Sequence, residues 1–360
     1  MRFLRLPLVL LSAAAFAQNS DVAAIVKARQ AVLASPDAEA PRLELAALYL
    51  RLGQNHNASE LLLEYTKAHP KSAGALRLLA LSCLREENYT AAKDYAQRVS
   101  GDAATTEVLG LAQLGLQDSK AAAVSFQKAI QLDPSLADAS FQLGLLYVNA
   151  RENLPEAIRL LEKARSLKPD IAGIHTALGS ALLQSGKPSE AAAELETAVK
   201  LDPESAESFY QLADAYRKLN RVPDADRALA SFSGLSRKRA DDRALEMRSR
   251  SAYEQGMNLL THTDQLDKAY QLFEQAPGEA SFYRMAQILY LKGNDGGALK
   301  LIREALRLNP LEAEYYFVLA RCLQASDKTA ALSAVRTAIS LHPGVADFAE
   351  LEAELTRIRH

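Results

Sequence analysis

The stretch QLDPSLADASFQLGLLY, Gln131–Tyr147, is written again as KLDPESAESFYQLADAY at Lys200–Tyr216. Pro134 and Pro203 lie 69 residues apart, which is 34 plus 35, and a third version, SLKPDIAGIHTALGSALL, stands midway with Pro169. A phrase repeated at that interval marks one small structural unit used many times. Each copy has a Leu-Gly or Leu-Ala pair, an Ala about thirteen residues later and a Pro about twelve after that. The frame holds outward at Leu45-Ala46, Ala58 and Pro70, and at Leu109-Gly110, Ala122 and Pro134. It continues at Leu143-Gly144 with Pro169, Leu178-Gly179 with Pro203, Met285-Ala286 with Pro310 and Leu319-Ala320 with Pro343. Weaker copies around Leu79-Ala80, Leu212-Ala213 and Gly256-Met257 bring the number of units to nine.

Within a unit the apolar residues recur at spacings of three and four, in two segments parted by a short polar turn such as QSGKPSE or LKGNDGG. That is the period of an amphipathic helix, so each unit reads as a helical hairpin. Small residues at the eighth and twentieth positions remove bulk where the two helices cross, and the proline ends the second helix. One hairpin cannot bury its apolar face, so the units must stack.

On these residues the chain resembles the tetratricopeptide repeat (TPR) family, whose 34-residue pattern has Leu-Gly/Ala at seven and eight, Tyr at eleven, Ala at twenty, an aromatic at twenty-four, Ala at twenty-seven and Pro at thirty-two. The copy from 206 supplies Phe209, Leu212, Ala213, Tyr216 and Ala225, then departs at Leu229 and Phe232; the copy from 103 supplies Ala122, Phe126, Ala129 and Pro134 but has Gln113 for the usual Tyr. The resemblance implies an all-α fold, a right-handed superhelical solenoid of antiparallel helical hairpins with about nine repeats and terminal capping helices. The expected organisation is a leader over 1–17, a capping helix over 18–38, six repeats over 39–232, a charged helical extension or bend over 233–249, three repeats over 250–345, and a capping helix over 346–360. Val22–Leu33 resembles a second helix alone and is expected to cover the first full repeat. The units at 73–102 and 250–278 are short by about four residues, expected in the second helix or its exit turn.

The first twenty residues, MRFLRLPLVLLSAAAFAQNS, place Arg2 and Arg5 before an apolar run from Leu6 to Ala14 and an A-x-A motif at Ala15–Ala17. This reads as a secretory signal peptide cut after Ala17, giving a periplasmic or secreted protein with no membrane span in the mature chain, since the apolar run is short of the ~20 residues a span needs. Its loss takes the formal charge from −2 to −4. That balance offers no basic footprint for nucleic acid. Cys83 and Cys322, the two cysteines, fall in apolar helical patterns and read as buried free thiols.

Six scattered histidines show no metal-ligand spacing, and no nucleophile elbow, phosphate loop, zinc motif or dinucleotide fingerprint occurs. No catalytic, cofactor-binding or metal residue is therefore assigned, and no cofactor is expected. Binding is the function that remains, with a protein or peptide as partner. In the family that the chain resembles, positions two, five, nine and twelve of the first helices line the concave face, because those spacings stay on one side of a helix. Here that stripe is Leu43, Ala47 and Leu50, then Leu81 and Leu84, Leu111 and Leu114, and Phe141, Leu145 and Val148. It becomes mixed at Glu207, Tyr210, Asp214 and Arg217, and aromatic at Tyr283, Tyr290 and Phe317.

Apolar residues where water-facing ones are expected point to a groove for an apolar helix or peptide on a non-catalytic envelope scaffold or adaptor. The same leucines could instead pack on neighbouring helices. Two other roles stay open: a structural component or assembly factor of an envelope or secretion complex acting through convex and terminal surfaces, and an accessory subunit of an enzyme. The stripe lacks the Lys and Asn pattern by which some family members clamp a C-terminal carboxylate. The segment SGLSRKRADDRALEMRSR, with Arg237, Lys238, Arg239, Arg243, Arg248 and Arg250, reads as a solvated helix face or a contact for an acidic partner.

Overall fold

The computed structural model describes residues 8–357, with side chains from residue 21 onward except at Thr263. Among the described residues there are nineteen α-helices, one 3₁₀ turn and no strand. In chain order the helices are α1 (Leu8–Ala34), α2 (Glu39–Arg51), α3 (Asn55–Ala68), α4 (Ala73–Arg85), α5 (Tyr89–Gln97), α6 (Ala103–Gly115) and α7 (Ser119–Leu132). There follow α8 (Ala137–Ala150), α9 (Leu154–Leu167), α10 (Ala172–Gln184), α11 (Pro188–Leu201), α12 (Ala206–Lys218) and α13 (Val222–Leu259). The last are α14 (Leu266–Glu274), α15 (Glu279–Leu291), α16 (Asp295–Leu308), α17 (Ala313–Leu323), α18 (Lys328–Leu341) and α19 (Ala346–Arg357). The chain divides into two compact units: residues 37–241, and residues up to 36 together with 242–360.

Each unit is a helical repeat solenoid in which a first and a second helix form a hairpin and successive hairpins stack. In the 37–241 unit the hairpins are α2/α3, α4/α5, α6/α7, α8/α9, α10/α11 and α12 with the start of α13. In the other unit the end of α13 pairs with α14 through Tyr253, Met257 and Phe273, and α15/α16 and α17/α18 follow. Helix α19 closes on α18, burying Phe348, Leu351 and Leu355.

The hairpin geometry has a steric cause legible in the sequence. A Cβ added at Gly110 would stand 2.7 Å from the ring of Phe126; at Gly144 it would meet Leu161 at 2.8 Å, and at Gly179 Leu195 at 2.5 Å. The small eighth residue is therefore a seat for the large twenty-fourth residue of its own second helix, which refines the reading of bulk removed at a bare crossing. Phe126, Leu161 and Leu195 are fully buried there.

The ends of the helices follow the same logic. His69, Asp133, Lys168, Asp202, Asn309 and His342 each cap a second helix and each precedes a proline. A residue before proline is driven out of the helical region, and these six take φ between −123° and −141° with ψ between 65° and 102°. Side chains of Ser72, Asn88, Asp102, Asp118, Ser205, Asn294 and Asp327 accept from amides in the first turn of the next helix. The shortening expected in two units falls in their second helices: α5 and α14 have 9 residues where α7 and α16 have 14.

In seven of the hairpins, α17/α18 not among them, the chain turns through a left-handed residue and the next amide closes back on the first helix. Asp118 N reaches Gln113 O at 2.9 Å, Lys187 N reaches Leu182 O at 2.9 Å and Asn294 N reaches Leu289 O at 2.8 Å. Gly186 and Gly293 fill the left-handed position with φ 74°, but Gln117 occupies it with φ 62°. Exposed Gln117 pays the Cβ penalty that glycine avoids. Gln117→Gly is expected to stabilise the protein by about 0.5–1 kcal/mol after the freedom that glycine adds to the unfolded chain is subtracted. A urea midpoint unchanged or lowered would contradict this.

Two expectations on the termini meet the structure differently. The leader over 1–17 lies outside the described side chains, and residues 1–7 lie outside the described structure altogether. The segment expected to cover the first full repeat packs instead on α18 of the last hairpin. Ile25 and Ala28 are buried, and Val22 and Val26 face Leu319, Leu323 and Leu332 across a cavity of about 790 Å³. Its spacing gave α1 an apolar face without specifying which exposed helix that face would meet.

Helix α13 runs unbroken through the charged segment, and the division into units falls inside it. From Ser233 to Arg248 nearly every side chain is exposed. Apart from exposed Leu245 and Met247 the segment is mostly polar, as a solvated helix face is.

Candidate functional site

The stripe read from the sequence is carried by the first helices, and several of these touch directly: α2 with α4, α4 with α6, α8 with α10, α10 with α12, and α15 with α17. Its residues fall into three groups. Leu50 and Val148 are 4% and 2% exposed, which makes them core residues rather than a surface a partner could touch. Ala47, Tyr210 and Arg217 are exposed, Tyr210 at 55%, with its ring 5.3 Å from that of Phe232. The remainder are half-buried: Leu43, Leu81, Leu84, Leu111 and Leu114, then Phe141, Leu145, Tyr283, Tyr290 and Phe317.

Half-burial here has a specific origin. Leu81 and Leu84 pack with Val108 of the next first helix, Leu111 and Leu114 with Leu143 and Tyr147 of the one after, and Phe141 and Leu145 join the cluster around Leu178 and Leu182. Each side chain thus gives one flank to the neighbouring repeat and keeps another on the surface. The two roles weighed for these leucines are shared by the same atoms.

Polar features of this unit brace the fold. His175, buried on α10, has Nδ1 2.7 Å from Glu194 Oε2 and Nε2 2.8 Å from the Pro169 carbonyl, and Arg165 bonds the same Glu194. Both ring nitrogens are engaged, so the imidazole is consumed in tying α9, α10 and α11 together. The Tyr216 hydroxyl donates to Glu196 at 2.9 Å under the Arg221 guanidinium, and burial, then that carboxylate, push its pKa up to about 12. Asp102, the cap of α6, is held below its ordinary value by the Thr105 hydroxyl and amide. Among the described residues no group of three or more His, Cys, Asp or Glu is placed to hold a metal ion, and no helix is long and apolar enough to cross a membrane.

In the C-terminal unit the aromatic part of the stripe opens onto a cavity of about 400 Å³. Leu260, Leu266, Ile288, Leu291 and Val318 form its apolar wall, and Tyr290 and Phe317 of the stripe also line it. Sequence reasoning missed its cations. Arg284 and Arg321 line the same cavity with Gln287. Arg284 Nη1 donates to Gln287 Oε1 at 3.0 Å, and the Gln287 amide donates to the Tyr283 hydroxyl at 2.8 Å. Arg284 Nε is buried with no hydrogen-bond partner among the described residues. Arg321 lies 5.9 Å from the Phe317 ring centre and 3.8 Å from Glu354. Arg321 occupies the ninth position of its first helix and was legible by the same rule that picked Phe317; Arg284, beside Tyr283, was off the pattern.

A family model described as a tetratricopeptide repeat matches residues 43–104, 108–170, 176–230 and 283–346. No curated protein matches the sequence significantly. Among solved structures, MamA AMB-1 is similar with 21% identity over 45% of this chain and 98% of its own, at a TM-score of 0.42. MamA 41-end from Desulfovibrio magneticus RS-1 has 22% identity over 46% and 96%, at 0.42. YrrB, described as a TPR protein with an unusual peptide-binding site, has 19% identity over 50% and 95%, at 0.42.

Proposed function

The chain belongs to the tetratricopeptide repeat family, a family of generally non-catalytic protein–protein interaction scaffolds, and from that premise we propose that it works in the cell envelope by holding an apolar peptide or helix against its first helices. The observation that carries this reading is the row of half-buried Leu81, Leu84, Leu111, Leu114, Phe141 and Leu145 across three successive first helices. Side chains left partly open to water on a face rich in leucine favour a partner that completes their burial. Each half-buried side chain whose burial is completed contributes on the order of 1 kcal/mol, about half of what full burial from water gives. The leader pattern at 1–17 supports export, with the mature chain starting at Gln18. No catalytic role is assigned.

The test is affinity capture from an envelope extract by the mature chain and by a Leu81→Ser, Phe141→Ser, Leu145→Ser variant shown by circular dichroism to be folded. Removing three apolar side chains together is expected to weaken capture by at least about 100-fold. Equal capture by both would overturn the reading.

A second reading, assembly through the outer surface, has its own support. Val124 on α7 is 67% exposed, and Leu132, Leu167, Leu201 and Leu308 are exposed at the ends of four second helices. Equal capture by the stripe variant, with loss on Val124→Ser, would favour it.

A further inference from the structure

We propose that the cavity between α15 and α17 receives a partner segment in which two acidic side chains accompany one bulky apolar side chain. This rests on the scaffold reading and assigns a second, chemically distinct binding point in the other unit. The open apolar wall of Leu260, Leu266 and Leu291, with Phe317 and Tyr290, takes a side chain of the size of Leu or Phe. The cations decide what lies beside it.

Arg284 is half-buried and, among the described residues, has no carboxylate within ion-pair range and a buried Nε without a hydrogen bond. The Tyr283 ring, 5.0 Å from the guanidinium carbon, is a cation–π partner that carries no net charge, so the guanidinium is still short of an anion. Nη1 gives one hydrogen to Gln287 and Nε is closed off from the surface, so the donors left for an incoming carboxylate are those of Nη2 and the second Nη1 hydrogen. Arg321 comes from a different helix, and its carboxylate neighbour Glu354 is distant at 3.8 Å, with both side chains open to water. Arg284 calls for one carboxylate, and Arg321, held only loosely by Glu354, accommodates a second. Internal Asp or Glu side chains of a partner protein are the assigned source, and the blocked ends of the peptide used below exclude a C-terminal carboxylate.

The experiment titrates the full-length chain with a fluorescent peptide, acetylated and amidated, of the form Glu-Glu-Phe-Glu-Glu between Gly-Ser flanks. Binding is expected, weakening as salt is raised and lost when the acids become Lys or the Phe becomes Ala. Arg284→Gln and Arg321→Gln are each expected to weaken it by at least about tenfold. Leu291 lines the cavity and is 69% exposed, so Leu291→Glu leaves folding intact and is expected to repel the acidic peptide by a similar factor. Equal affinity for the Lys peptide, an unchanged Leu291→Glu variant, or binding only of a peptide with a free C-terminal carboxylate and no acidic side chains would overturn the proposal. The triple variant in the other unit separates the two claims. Peptide binding intact in that variant, with no difference in envelope capture, would overturn the stripe alone; stripe-dependent capture with no peptide response would overturn the cavity alone.

Discussion

Phe126→Ala is expected to lower stability by about 3–5 kcal/mol, and adding Gly110→Leu to that variant to restore part of the loss. Phe126 is fully buried, and its ring covers the bare Cα of Gly110, where a Cβ would come within 2.7 Å of it. Removing the ring leaves a void at the centre of the α6/α7 hairpin. In the otherwise unaltered chain Gly110→Leu has no room and is expected to cost about 1–3 kcal/mol through overpacking. In the void left by Phe126→Ala the same leucine has somewhere to go. The two substitutions should therefore be strongly non-additive, with a favourable coupling above about 1 kcal/mol. Urea titration followed by circular dichroism reads the sum. Stacked repeats need not unfold in one step, so hydrogen exchange of α6 and α7 amides is needed to show that the loss is local. Additive single and double variants would show that the glycine and the phenylalanine do not meet.

Cys83 and Cys322 are expected to react with a thiol reagent at neutral pH at least about two orders of magnitude more slowly than an exposed cysteine. Both are buried, at 5% and 3% exposure, and both lie in apolar clusters. Desolvation, with smaller contributions from Glu86 beside Cys83 and Asp295 beside Cys322, pushes each thiol up to about 11. The thiolate is the reactive form, so raising the pKa depletes it, and burial blocks the reagent as well. Reaction then requires local opening, and its rate reports the free energy of that opening. Since Cys83 lies in the 37–241 unit and Cys322 in the other, mass-resolved labelling follows each unit separately. Phe126→Ala should speed labelling of Cys83 more than that of Cys322. Rapid labelling of either thiol in the native chain would contradict its placement in the core.

Much of this architecture was readable because its causes are local. A proline two places past a helix end, a glycine facing a large residue sixteen or so positions on, and apolar residues at three and four act within one hairpin. That is why the units and their order could be read from the chain, and why the missing residues of α5 and α14 could be assigned to the second helix or its exit. The binding face was only half legible. Periodicity states which residues share a side of a helix, so Leu81, Phe141 and Leu145 emerged together, and so did Leu50 and Val148. How closely the next first helix approaches decides which of them stay open to a partner, and that distance belongs to packing between repeats.

The repeat, the helical hairpin and the positions where helices start and stop are written in the amino-acid order, because each is set by sterics between residues a few turns apart. Packing between distant segments made Leu50 and Val148 core, brought α1 onto α18, and set Arg284 and Arg321 at one cavity with an unmatched donor. Those outcomes depend on surfaces far apart in the chain, and an apolar or charged side chain carries no label for which distant surface it will face.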